Sequence, residues 1–171
     1  MLDRRLNAYR DDLADAILRG RVVAPRFVGG EPARVVVGRA PVWREPKVGG
    51  ELDTYYHYGE SLSVFDRSGG FAWCQSRRDR YVGYVSVEHI AMGTQREATH
   101  FVVTLGSHCY TAPDLRSPVV DFLPRHSAVV VVESGLTTRG TDYARLDAGG
   151  FIPARCLSPP PPRSHDIVAA A

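Results

Sequence analysis

The chain has 171 residues, 44% hydrophobic and 23% charged, with 16 glycines, 12 prolines, three cysteines and a formal net charge of +2. That balance excludes collagen-like, coiled-coil and disulfide-scaffold classes, is too apolar for wholesale disorder, and is too weakly basic to argue for a nucleic-acid partner. No apolar run approaches the roughly 18 residues of a membrane span, and Met1-Leu-Asp-Arg-Arg lacks the apolar region of a signal peptide. A cytoplasmic protein without a membrane partner is the expectation.

The first stretch carries Leu6, Tyr9, Leu13 and Ile17 at helical spacing, with Asp3 placed as an N-cap and Gly20 as a stop. The spacing predicts a short α-helix within a lead-in over 1–27. Beyond it the pattern turns to short runs of β-branched and aromatic residues, Ala33–Gly38, Ser61–Asp66, Phe71–Gln75 and Tyr81–Ser86, which read as strands. Between the first two lies Arg39–Glu60, holding Pro41, Pro46 and the Gly49-Gly50 pair. It is too aromatic for a linker and reads as a long ordered loop, a place where function often sits.

The pattern then recurs. A shift of 67 positions lays Val36 on Val103, Trp43 on Tyr110, Pro46 on Pro113 and Gly83-Tyr84-Val85 on Gly150-Phe151-Ile152. Shared spacing of apolar, aromatic, Gly and Pro positions marks a tandem duplication, with compensating gaps expected near the last strands. Two small domains follow, 28–92 and 98–158, separated by the polar stretch Gly93–Glu97. Sheets this small avoid bare edges by curling up. The expected fold is all-β, two tandem small β-barrels preceded by a short α-helix. Residues 159–171 open on Pro159-Pro-Pro-Pro-Arg, an extended spacer, and Asp166-Ile-Val-Ala-Ala-Ala resembles a capped helix start leading into a further domain.

Chemistry able to support catalysis is absent from the sequence. Cys109 follows His108, but neighbours on a strand point to opposite faces and make no dyad. Cys74, Cys109 and Cys156 therefore read as structural thiols. The six histidines have neither H-x-H nor i, i+4 spacing, and there is no P-loop, GxGxxG or GxSxG, so no metal or cofactor is expected. Binding is better supported. Arg44, Glu51, Asp53, Tyr55, Tyr56, Tyr58, Glu60, Tyr81 and Tyr84 crowd into the first domain's long loop and last strand. Tyrosine offers rigid apolar area with a polar tip, and carboxylates seat an ammonium group, so a small ligand with a free amine suits the mixture.

Four pieces of sequence carry a resemblance. They are Leu2-Asp-Arg-Arg-Leu-Asn-Ala-Tyr-Arg-Asp-Asp-Leu-Ala-Asp, Glu51-Leu-Asp-Thr-Tyr-Tyr-His-Tyr-Gly-Glu, Arg80-Tyr-Val-Gly-Tyr-Val and Gly150-Phe-Ile-Pro-Ala-Arg-Cys-Leu. In this order they resemble the N-terminal tandem bacterial SH3 region of NlpC-type cell-wall cysteine peptidases, departing at Thr54-Tyr55, where that family usually has Thr-Gln. The resemblance implies SH3-like barrels that serve a papain-like catalytic domain cleaving murein peptides beside γ-D-glutamate. The Asp-Cys-Ser-Gly nucleophile motif of that domain does not occur here, so this chain by itself is expected to be non-catalytic. The resemblance further implies that an acidic residue and a tyrosine of the first barrel hold the free amine of a murein stem peptide. The acidic residue is then Glu51, with Asp53 as the alternative, and the tyrosine is Tyr81 or Tyr84. Two other readings remain open: a stand-alone module binding Pro-rich or extended peptides, and an enzyme acting through Cys109 or Cys156.

Overall fold

The structure, a computed structural model, describes residues 2–94 and 96–160. The expected spacer beyond Pro160 and the helix start at Asp166 lie outside the described residues. The fold is all-β, and the chain divides between Arg96 and Glu97 into two compact units.

In the first unit the lead-in folds differently from its periodicity. It contains β1 (Leu13–Asp15), a single 3-10 turn at Ala16–Leu18, and β2 (Arg26–Val28), which pairs parallel with β1. The expected helix does not form. Its buried residues come in neighbouring pairs, Ala8 with Tyr9 and Leu13 with Ala14, whereas Leu6 and Ile17 of the supposed apolar face are 43% and 63% exposed. Asp3 caps no helix; its carboxylate accepts from the Arg5 backbone N–H at 2.9 Å and from the Arg5 guanidinium. Two of the segment's carbonyls are tied to the barrel instead. Val82 N–H donates to the Arg5 carbonyl at 2.8 Å, and Gln75 Nε2 donates to the Leu6 carbonyl at 2.9 Å. Tertiary packing outweighs a marginal helical propensity over so few turns.

The barrel of this unit is a seven-stranded sheet. Its strands are β3 (Glu31–Val35), β4 (Arg39–Trp43), β5 (Leu52–His57), β6 (Ser61–Ser68), β7 (Phe71–Ser76), β8 (Val82–Ser86) and β9 (Ile90–Met92), in the order β5-β4-β8-β7-β6-β3-β9. One face closes on Val35, Val42, Tyr56, Leu62, Cys74 and Val85. The other buries Trp73, Phe65 and Val82 under Ala8 and Leu13 of the lead-in. The stretch expected as one long loop is mostly a hairpin of β4 and β5, because Ala40 and Val42 pair with Tyr56 and Thr54 in period-two register. Pro41 occupies β4, and only Arg44–Glu51 is left as the connection.

The second unit repeats the plan with β10 (His100–Val102), β11 (Gly106–Tyr110), β12 (Val119–Pro124), β13 (Ala128–Val129), β14 (Val131–Thr138), β15 (Thr141–Leu146), β16 (Phe151–Pro153) and β17 (Leu157–Ser158). They form a five-stranded sheet, β12-β11-β16-β15-β14, and a three-stranded one, β13-β10-β17. β11 and β12 follow β4 and β5 at the 67-residue offset, as does the 3-10 turn Ala154–Cys156 after Val87–His89. β15 follows β7 at an offset of 70. Bulges in β14 between Val131 and Leu136 absorb the extra residues, and a shorter turn before β16 returns them. Gly83 and Gly150 repeat for a steric reason: a Cβ at Gly83 would collide with Val42, and one at Gly150 with the Cys109 sulfur.

Candidate binding site

The hairpin of β4 and β5 sets the site. Val42 pairs with Thr54 but Trp43 pairs with Leu52, so Asp53 is an extra residue in a β-bulge. A bulge re-aims the side chain it carries. The Asp53 side chain is only 7% exposed, and Arg44 Nη2 donates to its Oδ1 at 2.6 Å. Nη1 of the same guanidinium reaches Glu51 Oε1 at 2.7 Å, where the Glu51 side chain is 63% exposed. The Arg44 N–H also donates to the Glu51 carbonyl at 3.0 Å, which closes the connection. Arg44 therefore bridges both acidic candidates, and its own pKa is raised, first by the hydrogen bond to Asp53.

Tyr81 faces the same charges. Burial pushes its phenol up, the Asp53 charge adds to that rise, and Arg5 and Arg44 pull the other way. Its backbone is fixed: the carbonyl accepts from the Tyr56 hydroxyl at 2.9 Å, and the N–H donates to Asp79 Oδ1 at 3.0 Å. Tyr84 is not part of this group. Three residues along an extended chain turn it to the opposite face, where it packs beside Trp73 while Tyr81 packs against the Val42 and Tyr56 core. There the Tyr84 hydroxyl accepts from Arg10 Nη1 at 3.1 Å. The structure thus joins Glu51 and Asp53 through Arg44, lets the Asp53 charge act on Tyr81, and sets Tyr84 apart.

Other residues of the aromatic and acidic crowd have structural places. Tyr56 is core, and burial holds its phenol well above the ordinary range. Glu60 accepts from the Ser76 hydroxyl at 2.5 Å and from the His57 N–H at 3.0 Å. The Arg39 guanidinium lies over the Tyr55 ring at 4.1 Å. Sequence reasoning missed the lead-in's contribution. Arg5 adds charge beside Tyr81, and Arg10 bonds Asp12, Asp66 and Tyr84 while stacking over Trp73 at 4.6 Å. Nothing in the local pattern distinguishes those arginines from the chain's many others. A cavity of about 330 Å³ opens on this second face, lined among others by Arg10, Pro46, Asp66, Phe71, Trp73 and Tyr84.

The three thiols are buried and unpaired with one another. Burial pushes Cys74 up to about 12 and raises Cys109 as well.

Comparison with known proteins agrees with the fold. Residues 42–90 match the family model described as the bacterial dipeptidyl-peptidase SH3 domain. A crystal structure of an NlpC/P60 family protein from Bacillus cereus is 12% identical, with a TM-score of 0.56, over 81% of this chain and 61% of that one. NlpC1 from Trichomonas vaginalis is 12% identical over 92% of this chain and 50% of that one, at a TM-score of 0.35. No curated protein matches the chain. The chain spans 61% of the length of the Bacillus cereus protein. In sequence over 42–90 it is similar to the bacterial dipeptidyl-peptidase SH3 domain, and in fold over most of its length it is similar to an NlpC/P60 family protein, which agrees with the SH3-like region that its sequence leads one to expect.

Proposed function

We propose that this chain is a non-catalytic SH3-like specificity region that holds the free amine of a murein stem peptide for a papain-like peptidase domain. The observation that carries the reading is the Asp53 carboxylate, its side chain little exposed at a bulge and hydrogen-bonded to the Arg44 cation, with its charge acting on Tyr81. An ammonium group gains most from a carboxylate that water reaches poorly, because the local dielectric is lower there. Glu51 stands first by resemblance, but its side chain is largely in water; the geometry favours Asp53 as the acceptor and Tyr81 as the tyrosine. Burial of Cys74, Cys109 and Cys156 supports a chain whose catalysis is supplied by another domain.

The test is calorimetric titration of the full chain with a murein tripeptide bearing a free N-terminal amine, beside its N-acetylated counterpart. Wild type should prefer the free amine. Asp53→Asn should abolish the preference, and Glu51→Gln should keep most of it. Equal affinity for the two peptides would end the amine reading. Binding of a Pro-rich peptide in its place would favour an interaction module using the cavity beside Trp73 and Tyr84.

A further inference from the structure

Arg44 occupies both candidate carboxylates at once. Its guanidinium is anchored on a short connection, its side chain is 53% exposed, and its two terminal nitrogens divide between Glu51 at 2.7 Å and Asp53 at 2.6 Å. The pairing is unequal in a useful way. The Asp53 side chain is little exposed while that of Glu51 lies largely in water, and Arg44 itself is half in water, where an ion pair costs little to keep or to break.

We infer that Arg44 is a resident counter-cation that a ligand's ammonium displaces from Asp53, with Glu51 holding the displaced guanidinium at the rim. This rests on the amine-binding reading and assigns separate tasks to the two acids: Asp53 receives the ligand, and Glu51 retains Arg44. Without a counter-cation, Asp53 would be a poorly hydrated charge lacking a partner, which is costly. With Arg44 in place the Asp53 carboxylate has a hydrogen-bonded partner, and binding becomes an exchange of one cation for another. Exchange lowers affinity and raises selectivity. A neutral or acetylated peptide end cannot replace the charge that it would expel, whereas an ammonium with additional contacts can.

The experiment is the same titration carried out on Arg44→Gln and Arg44→Lys. Arg44→Gln removes the competitor and should bind the free-amine tripeptide about three- to tenfold more tightly, the scale of one partly exposed charge-assisted contact. Its preference over the acetylated peptide should widen. Arg44→Lys keeps a cation and should stay near wild type, and Glu51→Gln combined with Arg44→Gln should add nothing further. If Arg44→Gln binds the tripeptide no better than wild type, or more weakly, Arg44 is not a displaced competitor and the inference falls while the amine reading stands. If wild type does not distinguish the two peptides, the reading and the inference fall together, and the acetylated control identifies that case.

Discussion

The lead-in is integral to the first barrel, and Arg10 is where this can be measured. Its side chain is 21% exposed and that of Asp66 is 31% exposed, with Nη2 to Oδ2 at 2.7 Å. The same guanidinium bonds Asp12 at 2.9 Å and the Tyr84 hydroxyl at 3.1 Å, and lies over the Trp73 ring. Burial alone would lower its pKa, but the hydrogen bonds to Asp12, Asp66 and Tyr84 outweigh that and raise it. Arg10→Met preserves the aliphatic cover of Trp73 and deletes the charge. A part-buried charged hydrogen bond contributes roughly 1.5–3 kcal/mol and the ring contact about 0.5–1, so non-additivity leaves an expected loss of about 2–3 kcal/mol. For a unit of this size that is about 10–20 °C in Tm. Urea and thermal unfolding followed by Trp73 fluorescence in a Trp43→Phe background would read it. Part of the loss should vanish in acid. Asp12 is held below the usual carboxylate range, first by the Arg10 hydrogen bond. Its contribution is therefore complete above the unfolded value of about 4 and is lost as pH falls below that through the folded one. A loss under about 0.5 kcal/mol, additive with that of Asp66→Asn, would refute the account and leave the lead-in as a loosely attached strap.

Two further outcomes follow from the packing. Gly83→Ala would push a methyl into Val42 and against the Trp43 carbonyl, and should cost about 1–3 kcal/mol in urea unfolding; a neutral effect would show that β4 and β8 can separate freely. Iodoacetamide at pH 8 should leave Cys74 and Cys109 unmodified in the folded chain and alkylate both in denaturant, because burial raises both thiols; rapid native labelling of either, read by mass spectrometry, would contradict their placement.

Where alternation was strong, the sequence was a sound guide. Ser61–Ser68 and Phe71–Ser76 form strands in which Leu62, Val64, Ala72 and Cys74 face one buried layer and Phe65 and Trp73 the other, and the Gly83 and Gly150 repeat marked a real close approach. The lead-in misled because Leu6, Tyr9, Leu13 and Ile17 mimic a helical stripe, while its backbone is drawn to Gln75 and Val82, about seventy residues away in the chain. The hairpin within Arg39–Glu60 was hidden by Pro41, which usually argues against a strand.

The candidate site divides along the same line. Residue types and spacing were enough to single out Glu51, Asp53, Tyr81 and Tyr84, because carboxylates and tyrosines concentrated in one segment are visible without coordinates. Which of them act together was not, since that depends on a one-residue bulge that buries Asp53 and on strand parity that turns Tyr84 away from Tyr81. Composition and periodicity are local properties, so the sequence alone determined the all-β class, the repeated pattern, strands such as Ser61–Ser68 and Phe71–Ser76, and the chemical character of the site. Register, burial and the choice of Arg44 as the partner of both acids arise from contacts between distant segments, and only the tertiary structure decided them.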